Sequence, residues 1–391
     1  MIQITDKKTC CGCTACKAIC PTQAIEMVPD ALGFLYPKVD TDKCIDCGLC
    51  EKVCSFHAGY ATSENLPEPQ VFAARHRSME EIAKSRSGAV FATLSDWVLR
   101  QGGVIYGAGY IDHFRVAHKR ATTPEERNEF RGSKYVQSDL NSTFKQVQSD
   151  LKKGSMVLFS GTPCQTSGLK SFLTWTRTDT SNLFVADIVC HGVPAPHIWR
   201  DYLAYIEKLE GQKAVAVDFR DKSQLGWAAH KESFTFADGH KRVEQTYTYT
   251  FYEHIMFRHS CSNCHFCNFT RPSDITLADF WGWQKVNPQL NADDKGISLV
   301  LVNTAKGQAW FDHIKDGLTY IPTDKATCLQ PNLSRPSAQH PLREQFEKDY
   351  INKGFQYILR RYADKGWRYK LLRLKQKSKT AIRLAKRIFI K

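Results

Sequence analysis

The sequence lacks any long apolar run. No stretch approaches the roughly 18 consecutive apolar residues that suggest a membrane-spanning helix, and the start at Met1 shows no apolar core of an export signal. A Gly-x-Gly-x-x-Gly fingerprint is also missing, which excludes a Rossmann-type cradle for a dinucleotide. We therefore expect a cytoplasmic protein that binds its cofactors by other means.

Acidic residues are scarce at one end of the chain. Within residues 360–391, thirteen lysines and arginines accompany one acid, so this tail supplies +12 of the total formal charge of +14. The nearly neutral remainder gives no indication of specific nucleic-acid binding. Apolar residues recur in the tail at helical intervals, which predicts a basic amphipathic helix in peripheral contact with an anionic membrane surface at its inner face. A disordered solubilising end or a nucleic-acid contact is the alternative.

Cysteine, by contrast, is abundant, with 15 in the chain. Eight of them form two copies of the spacing C-x2-C-x2-C-x3-C, offset by 34 residues. The first copy consists of Cys10, Cys13, Cys16 and Cys20, and the second of Cys44, Cys47, Cys50 and Cys54. In bacterial ferredoxins this spacing holds two 4Fe-4S clusters, and the fourth cysteine of each copy reaches across to the other cluster.

We therefore predict that Cys54 completes the first cluster and that Cys20 completes the second. A disulfide framework is disfavoured because we expect no export, and a zinc ribbon normally uses two CxxC pairs. Cys11 lies outside the register and is predicted to bind no metal.

Beyond residue 70, short apolar runs alternate with helical patterns. This alternation predicts an α/β domain whose mixed sheet is mostly parallel. The fold class is therefore α+β: a small bacterial-type ferredoxin domain, then an α/β domain, then a C-terminal basic helix. The predicted boundaries are 1–60 for the ferredoxin domain, 61–70 for a linker, 71–340 for the α/β domain, and 341–391 for a C-terminal helical region.

Three further cysteine sites lie in the second domain. Cys164 and Cys190 each follow a predicted strand, and ligands of α/β sheets collect at the carboxyl ends of such strands. Cys261 and Cys264 form a close pair with a third thiol at Cys267. Four thiolates suffice for a 4Fe-4S cluster or for zinc, whereas lone cysteines can also be buried structural residues. The ferredoxin pattern upstream favours iron-sulfur over zinc.

Several motifs of the second domain, taken in order, resemble those of the coenzyme F420 hydrogenase/dehydrogenase beta subunits. They extend from about residue 72 to residue 285. They are Ser87-Gly88, Arg131-Gly132-Ser133-Lys134-Tyr135, Gly161-Thr162-Pro163-Cys164-Gln165, Cys190-His191-Gly192-Val193-Pro194, the pair Cys261 and Cys264, and Ser273-Asp274-Ile275-Thr276-Leu277-Ala278-Asp279-Phe280-Trp281-Gly282.

This resemblance implies an FAD-binding domain with its own 4Fe-4S cluster beside the flavin. By the same resemblance the third cluster is ligated by Cys164, Cys190, Cys261 and Cys264. Cys267 lies outside the family's pair and is either spare or an alternative ligand. The family usually has a second glycine where this chain has Ala89.

Candidate flavin contacts follow from the chemistry of an anion cradle. Glycine-bearing turns with hydroxyl and ammonium donors suit a diphosphate, and the candidates are Ser87, Gly88, Gly132, Ser133 and Lys134. His191 is a candidate proton donor by its position and titration range, although a structural role is the alternative. Asp279 and Trp281 either flank a flavin or fill a core.

The predicted function is that of an iron-sulfur flavoprotein oxidoreductase. It would pass electrons between 4Fe-4S clusters and FAD to oxidise or reduce an organic substrate or an F420-like deazaflavin. The partner would be a small-molecule substrate or a redox protein. The alternatives are a non-catalytic electron-transfer subunit that docks on a separate enzyme, and a reductase in cell-envelope polysaccharide biosynthesis.

Overall fold

A computed structural model describes residues 1–366 and residue 369. The basic tail predicted within residues 360–391 therefore lies mostly outside the described residues, and its membrane contact stays a prediction. Within the described part of the chain, no helix combines the length and the apolar character needed to cross a bilayer.

The N-terminal module is built from two short helices and a two-stranded antiparallel sheet. Its elements are α1 (Ala15–Ile19), β1 (Ile25–Pro29), β2 (Leu35–Val39) and α2 (Leu49–Lys52). Each helix follows a residue in the left-handed conformation, Thr14 before α1 and Gly48 before α2. These two residues are 34 positions apart, so the repeat seen in the sequence is also a repeat of backbone conformation.

Alternating strands and helices follow, as the sequence predicted. They are β3 (Asn65–His76), α3 (Met79–Lys84), α4 (Val90–Arg100), β4 (Val104–Ile111), β5 (Arg115–Ala121), α5 (Pro124–Asn128), α6 (Thr143–Lys152), β6 (Val157–Gly161), α7 (Pro163–Trp175), β7 (Leu183–Ile188) and α8 (Pro196–Glu210). Helix α4 presents Val90, Leu94 and Val98 to the core, at the spacing of one helical face.

The remaining elements form a small second sheet and then complete the large one. They are β8 (Ala214–Asp218), α9 (Lys222–Leu225), β9 (Glu232–Phe236), β10 (Lys241–Glu244), α10 (Thr246–Tyr252), β11 (Ile275–Asp279), α11 (Trp283–Val286), β12 (Ser298–Thr304), α12 (Ala305–Ile314), β13 (Leu318–Thr323), α13 (Lys325–Cys328) and α14 (Arg343–Arg361). Asp238-Gly239, a dipeptide typical of hairpin turns, forms the turn between β9 and β10. Helix α14 is kinked at Gly354, where φ is 72°.

The large sheet has eight strands in the order β13-β3-β12-β11-β7-β6-β4-β5. Only the three pairings among β11, β7, β6 and β4 are parallel, so the expectation of a mostly parallel sheet was wrong although the sheet is mixed. Parallel pairing needs a long crossover, which α6 and α7 help to supply. The three-residue turn between β4 and β5 permits only an antiparallel pair.

The linker predicted at residues 61–70 is mostly strand, because β3 begins at Asn65. Gln70 pairs with Val302 of β12, while the register shifts further toward Asn65. Strand β13 pairs only with the second half of β3, from Val71 onward. The two prolines of this segment therefore lie where one side of the strand has no ladder partner, which is where proline is tolerated in a sheet.

The N-terminal module shares its core with the second domain. Leu32 and Phe34 pack in one buried cluster with Trp199 of α8, while Val53 and Phe56 pack in another with residues of α6 and α7. The connection between the two regions is thus a packed interface.

Candidate functional site

Two cysteine-lined cavities lie in the N-terminal module. One is lined by Cys10, Cys13, Cys16 and Cys54, and the other by Cys20, Cys44, Cys47 and Cys50. The fold therefore brings together the two crossed-over sets that the sequence predicted, because α1 and α2 pack against each other. We call them the enclosed cavity and the outer cavity, since Cys13 and Cys16 are buried whereas Cys47 is exposed.

Backbone N–H groups point at cysteine sulfurs around these cavities. The amide of Ile2 donates to Cys50 Sγ at 3.2 Å, and the amide of Ala24 donates to Cys20 Sγ at 3.3 Å. Such N–H···S bonds stabilise thiolate charge and tune the reduction potential of a cluster.

A third cavity is lined by cysteines of the second domain. Cys164 lies at the start of α7, whose first turn is fixed by a capping box between Thr162 and Gln165. Cys190 follows β7, and Cys261 lies in a 3₁₀ turn beside Cys264. The cysteines that line this cavity are Cys11, Cys164, Cys190, Cys261, Cys264 and Cys267. The structure thus gathers the four predicted ligands together with two further thiols.

Cys11 is the residue for which the sequence suggested no role. It is buried, and it lines both the enclosed cavity and the third cavity. Hydrogen bonding with the thiols of Cys13 and Cys164, followed by burial, raises the pKa of Cys11 well above its ordinary value. Cys11 therefore lies at the junction between a predicted ligand of one cluster and a predicted ligand of another.

Arg258 ties the enclosed cavity to the second domain. Its fully buried guanidinium donates to the carbonyl of Cys10 at 2.7 Å, to the carbonyl of Leu35 at 2.9 Å and to Gln137 Oε1 at 2.8 Å. One nitrogen also lies 3.5 Å from Cys10 Sγ. The same group is 4.2 Å from the ring centre of Tyr36. A permanent cation is therefore held beside a predicted cluster ligand.

A cavity of about 500 Å³ adjoins the third cysteine cavity, a size within the usual range for cofactor pockets. The segment Cys190-His191-Gly192-Val193 and the side chain of Asn332 line both cavities. The large cavity lies at the carboxyl ends of β6, β7 and β11, the edge where parallel strands place ligands. It is therefore the natural place for a second cofactor beside the thiols.

Four of the five predicted flavin contacts line this cavity: Ser87, Gly132, Ser133 and Lys134. Gly88 is not among the lining residues, because its backbone packs against that of Ala74 and Ser298, where a Cβ atom would come within 2.4 Å of a carbonyl oxygen. The absence of a side chain at Gly88 thus lets the segment before α4 pack closely against β3 and β12.

Lys134 and Ala89 show how this wall is built. The ammonium of Lys134 donates to the carbonyls of Glu129 and Arg131, and burial lowers its pKa to about 7. Ala89 caps α4 with φ at 63°, a conformation that favours glycine. The family's second glycine therefore corresponds to a position that requires the left-handed backbone.

His191 lies in the wall between the two cavities. Its Nδ1 is 2.9 Å from Asn332 Oδ1, and its Nε2 is 2.8 Å from Nε2 of His254. Burial, reinforced by the charge of His254, lowers its pKa to about 4. Both ring nitrogens are therefore engaged by protein groups, and the assignment of His191 as a proton donor stays a prediction.

Sequence reasoning missed the arginines of the large cavity. Arg86, Arg131 and Arg220 all line it, and each has a buried guanidinium nitrogen without a hydrogen-bond partner among the described residues. Asp279 accepts from Arg220 and, at 3.1 Å, from Trp227 Nε1. The motif around Asp279 was a usable signal, whereas Arg86 and Arg220 stand outside any recognisable spacing.

Cysteine-lined cavities within a mixed α+β fold are the kind of site that iron-sulfur electron-transfer proteins use. Residues 9–58 match the 4Fe-4S dicluster domain, and residues 154–325 match the family described as the C terminus of the coenzyme F420 hydrogenase/dehydrogenase beta subunit. The resemblance inferred from the motifs is thereby confirmed, and the chain is related to an oxidoreductase family.

Two individual relatives agree with this placement. The chain is 20% identical over 338 residues to the F subunit of the F(420)H(2) dehydrogenase of Methanosarcina mazei, covering 83% of this chain and 87% of that protein. A 45-residue stretch is 47% identical to the B subunit of the Na(+)-translocating ferredoxin:NAD(+) oxidoreductase complex of Acetobacterium woodii, covering 12% of each. Among solved structures, a chain of the F420-reducing [NiFe] hydrogenase complex from Methanosarcina barkeri has a TM-score of 0.48 at 17% identity, covering 74% of this chain and 91% of that chain.

Proposed function

We propose that the chain is a flavin-dependent iron-sulfur oxidoreductase with three 4Fe-4S clusters and one FAD. The thiols around the enclosed and outer cavities hold two clusters, and Cys164, Cys190, Cys261 and Cys264 hold the third. The large cavity holds the flavin. Bound there, the clusters carry single electrons and the flavin exchanges two electrons with an organic substrate.

One observation carries this proposal: the large cavity and the third cysteine cavity share a wall. The segment from Cys190 to Val193 faces both, so a single loop after β7 both supplies a thiol ligand and bounds the flavin space. Close contact between two redox groups is what electron transfer between them requires.

The donor set of the large cavity suits a flavin dinucleotide. The side chain of Arg131 is 8% exposed and is paired with Glu81, yet its Nε and Nη1 have no partner among the described residues. Buried donors without partners are costly unless a ligand satisfies them. With the exposed backbone of Gly132 and Ser133 alongside, this segment would hold the diphosphate.

Anaerobic purification with iron, sulfide and flavin quantified per chain tests the whole assignment. Three clusters predict about twelve irons, and two predict about eight. About one FAD per chain is expected. A preparation with about eight irons and no flavin would leave only the ferredoxin module of the proposal.

Single substitutions then test the third cluster. Cys164→Ser should lose about four irons, while Cys328→Ser should lose none, because Cys328 is buried away from the cysteine-lined cavities and donates to the carbonyl of Lys325. Cys267→Ser and Cys11→Ser should also keep the full iron content. Loss of iron from either variant, with retention in Cys164→Ser, would contradict the ligand set.

An enzyme is favoured over a bare electron relay because the cavity is open at one side. Trp281 and Tyr252 line it and are 47% and 54% exposed. A reduced deazaflavin is one candidate substrate, since one relative is named as the F subunit of an F(420)H(2) dehydrogenase. That name also suggests the second candidate, a subunit that works within a larger complex. Anaerobic mixing with reduced F420 should bleach the flavin absorbance if the deazaflavin is the substrate.

A further inference from the structure

Two arginines stand together at the open side of the large cavity, which we call the cavity mouth and define by Trp281 and Tyr252. Arg86 and Arg220 both donate to the carbonyl of Trp227, at 3.5 Å and 3.2 Å. The Nε atom of each is buried and has no partner among the described residues. Arg220 also lies 5.6 Å from the ring centre of Trp281.

Among the described residues, Arg86 lacks a carboxylate partner, as Arg258 does, whereas other buried arginines of the fold have one. Arg127 pairs with Asp96, Arg271 with Asp187, and Arg343 with Glu347. Within residues 1–366, no carboxylate lies within ion-pair distance of Arg86. A guanidinium taken out of water without a counter-charge is unfavourable, and here a second guanidinium is close by.

The neighbouring carboxylates are already engaged. Asp279 accepts from Arg220 and from Trp227 Nε1, while Asp218 is exposed and accepts from the backbone amide of Arg220 at 2.8 Å. Burial, with the charge of Arg220, lowers the pKa of Arg86. The remaining donors at the mouth therefore lack an acceptor that the described chain could supply.

We infer that Arg86 and Arg220 bind an anionic group of the substrate, a carboxylate or a phosphate, at the cavity mouth. The exposed faces of Trp281 and Tyr252 contact the organic part of the same molecule. This inference rests on the proposed function, in which the substrate reacts at a flavin in the same cavity. It assigns the segment around Arg131 to the diphosphate of the flavin and leaves the arginines at the mouth for the substrate.

Calorimetric titration of the purified holoprotein with inorganic phosphate tests the site. The wild-type chain should bind phosphate saturably at fixed ionic strength. Arg86→Gln should weaken binding by about tenfold or more, because it removes charge-assisted hydrogen bonds, while Arg86→Lys should retain part of the affinity. Arg86 is the preferred position, since removing Arg220 would leave Asp279 without its partner.

Arg131→Gln is the matched variant at the other end of the cavity. It should lower the flavin content and leave phosphate affinity unchanged. Equal phosphate affinity in the wild type and Arg86→Gln, or no phosphate binding by the wild type, would overturn the inference. Release of free FAD as phosphate is added would also overturn it, because the arginines would then hold the flavin.

The proposed function and the anion site can be contradicted independently of each other. A wild-type protein without flavin that still binds phosphate through Arg86 would contradict the proposed function and support the anion site. A protein that contains flavin but does not bind phosphate would support the proposed function and contradict the anion site.

Discussion

Corresponding residues in the two copies of the cysteine pattern have similar backbone conformations, but the two copies differ in burial. Gly12 and Asp46, which correspond in the repeat, have φ values of 71° and 49°. A Cβ atom on Gly12 would lie 2.9 Å from the guanidinium of Arg258, whereas Asp46 is exposed to 81%. The position after each first cysteine is the buried Cys11 in one copy and Ile45, 65% exposed, in the other.

This difference teaches that local sequence sets the ligand spacing and the turns, while the second domain sets the surroundings. Only the first copy faces Arg258 and Gln137. Helix α7 also approaches this copy so closely that a Cβ atom at Gly168 would collide with Cys13. Two clusters with the same ligand pattern should therefore have different potentials and different access to partners. The outer cavity, with Cys47 exposed, is the natural point of contact with an external redox partner.

Among the substitutions that test the difference between the two copies, Arg258→Gln should have the largest effect. It removes a buried cation and leaves the carbonyls of Cys10 and Leu35 and the side-chain oxygen of Gln137 without their donor, so the free energy of unfolding should fall by about 3 kcal/mol. Loss of positive charge should also lower the midpoint potential of the enclosed cluster, by roughly 60 mV for each 1.4 kcal/mol of lost stabilisation. Urea unfolding and potentiometric EPR measure both effects.

Lys43→Gln is the control for that prediction, because Lys43 lies in the outer copy and is 64% exposed. Equal shifts of both cluster signals in Arg258→Gln would contradict the contrast between the copies.

Gly12→Ala and Asp46→Ala compare the same backbone position in the two settings. Alanine at Gly12 adopts a left-handed backbone and presses on Arg258, so the free energy of unfolding should fall by about 2 kcal/mol. Alanine at Asp46 also takes a left-handed backbone and loses an exposed bond to the Met1 amine, but it meets no neighbouring side chain, so a clearly smaller fall is expected. Similar losses from both variants, measured as urea midpoints, would show that Arg258 does not restrict the enclosed copy.

The pH dependence of unfolding tests the effect of burial on a histidine. Burial lowers the pKa of His118 to about 4, against about 6.5 in an unfolded chain. The neutral ring therefore contributes stability that is fully present above pH 6.5 and is lost as the pH falls toward 4. At pH 5.5 the loss should be about 1 kcal/mol, and His118→Gln should remove this part of the slope. Urea midpoints of the wild type and of His118→Gln, measured between about pH 4 and pH 7, give the size of this loss.

Ile45→Ser should have the smallest effect. The side chain is mostly exposed, so the free energy of unfolding should change by no more than about 0.5 kcal/mol, and iron content should not change. Loss of iron from this variant would mean that Ile45, which lines the outer cavity, shields its cluster from solvent.

Much of the fold could be predicted from sequence, because local signals agree with the tertiary structure. Alternating apolar runs indicate β4 to β8, and the pattern of the segment between β7 and β8 indicates a helix over Pro196–Glu210, which are the bounds of α8. The strand at Asn65 was missed because its prolines are typical of a linker. The elements beyond Leu301, including β13 and α14, carried too weak a pattern to be placed.

The candidate site divides in the same way. Cysteine spacing predicted the two crossed-over sets, since ligand geometry imposes a pattern on the chain itself. The surroundings of Cys11, Arg258 and Arg86 form only when segments that are distant in the sequence meet. No spacing pattern in the sequence could therefore predict their positions in the site. His191 stays a prediction in this respect, because its position suggested either a proton donor or a structural residue, and its bonds to Asn332 and His254 do not decide between the two roles.

Strand β3 has a consequence for motion. It starts at Asn65, and Tyr60 just before it donates to the carbonyl of Thr270 at 2.8 Å, so the connection spans at most about 18 Å and is fastened at both ends. The iron-sulfur module cannot swing between a redox partner and the large cavity as a tethered carrier would. Its separation from that cavity is a constant of the fold, so an external redox partner has to come to the module.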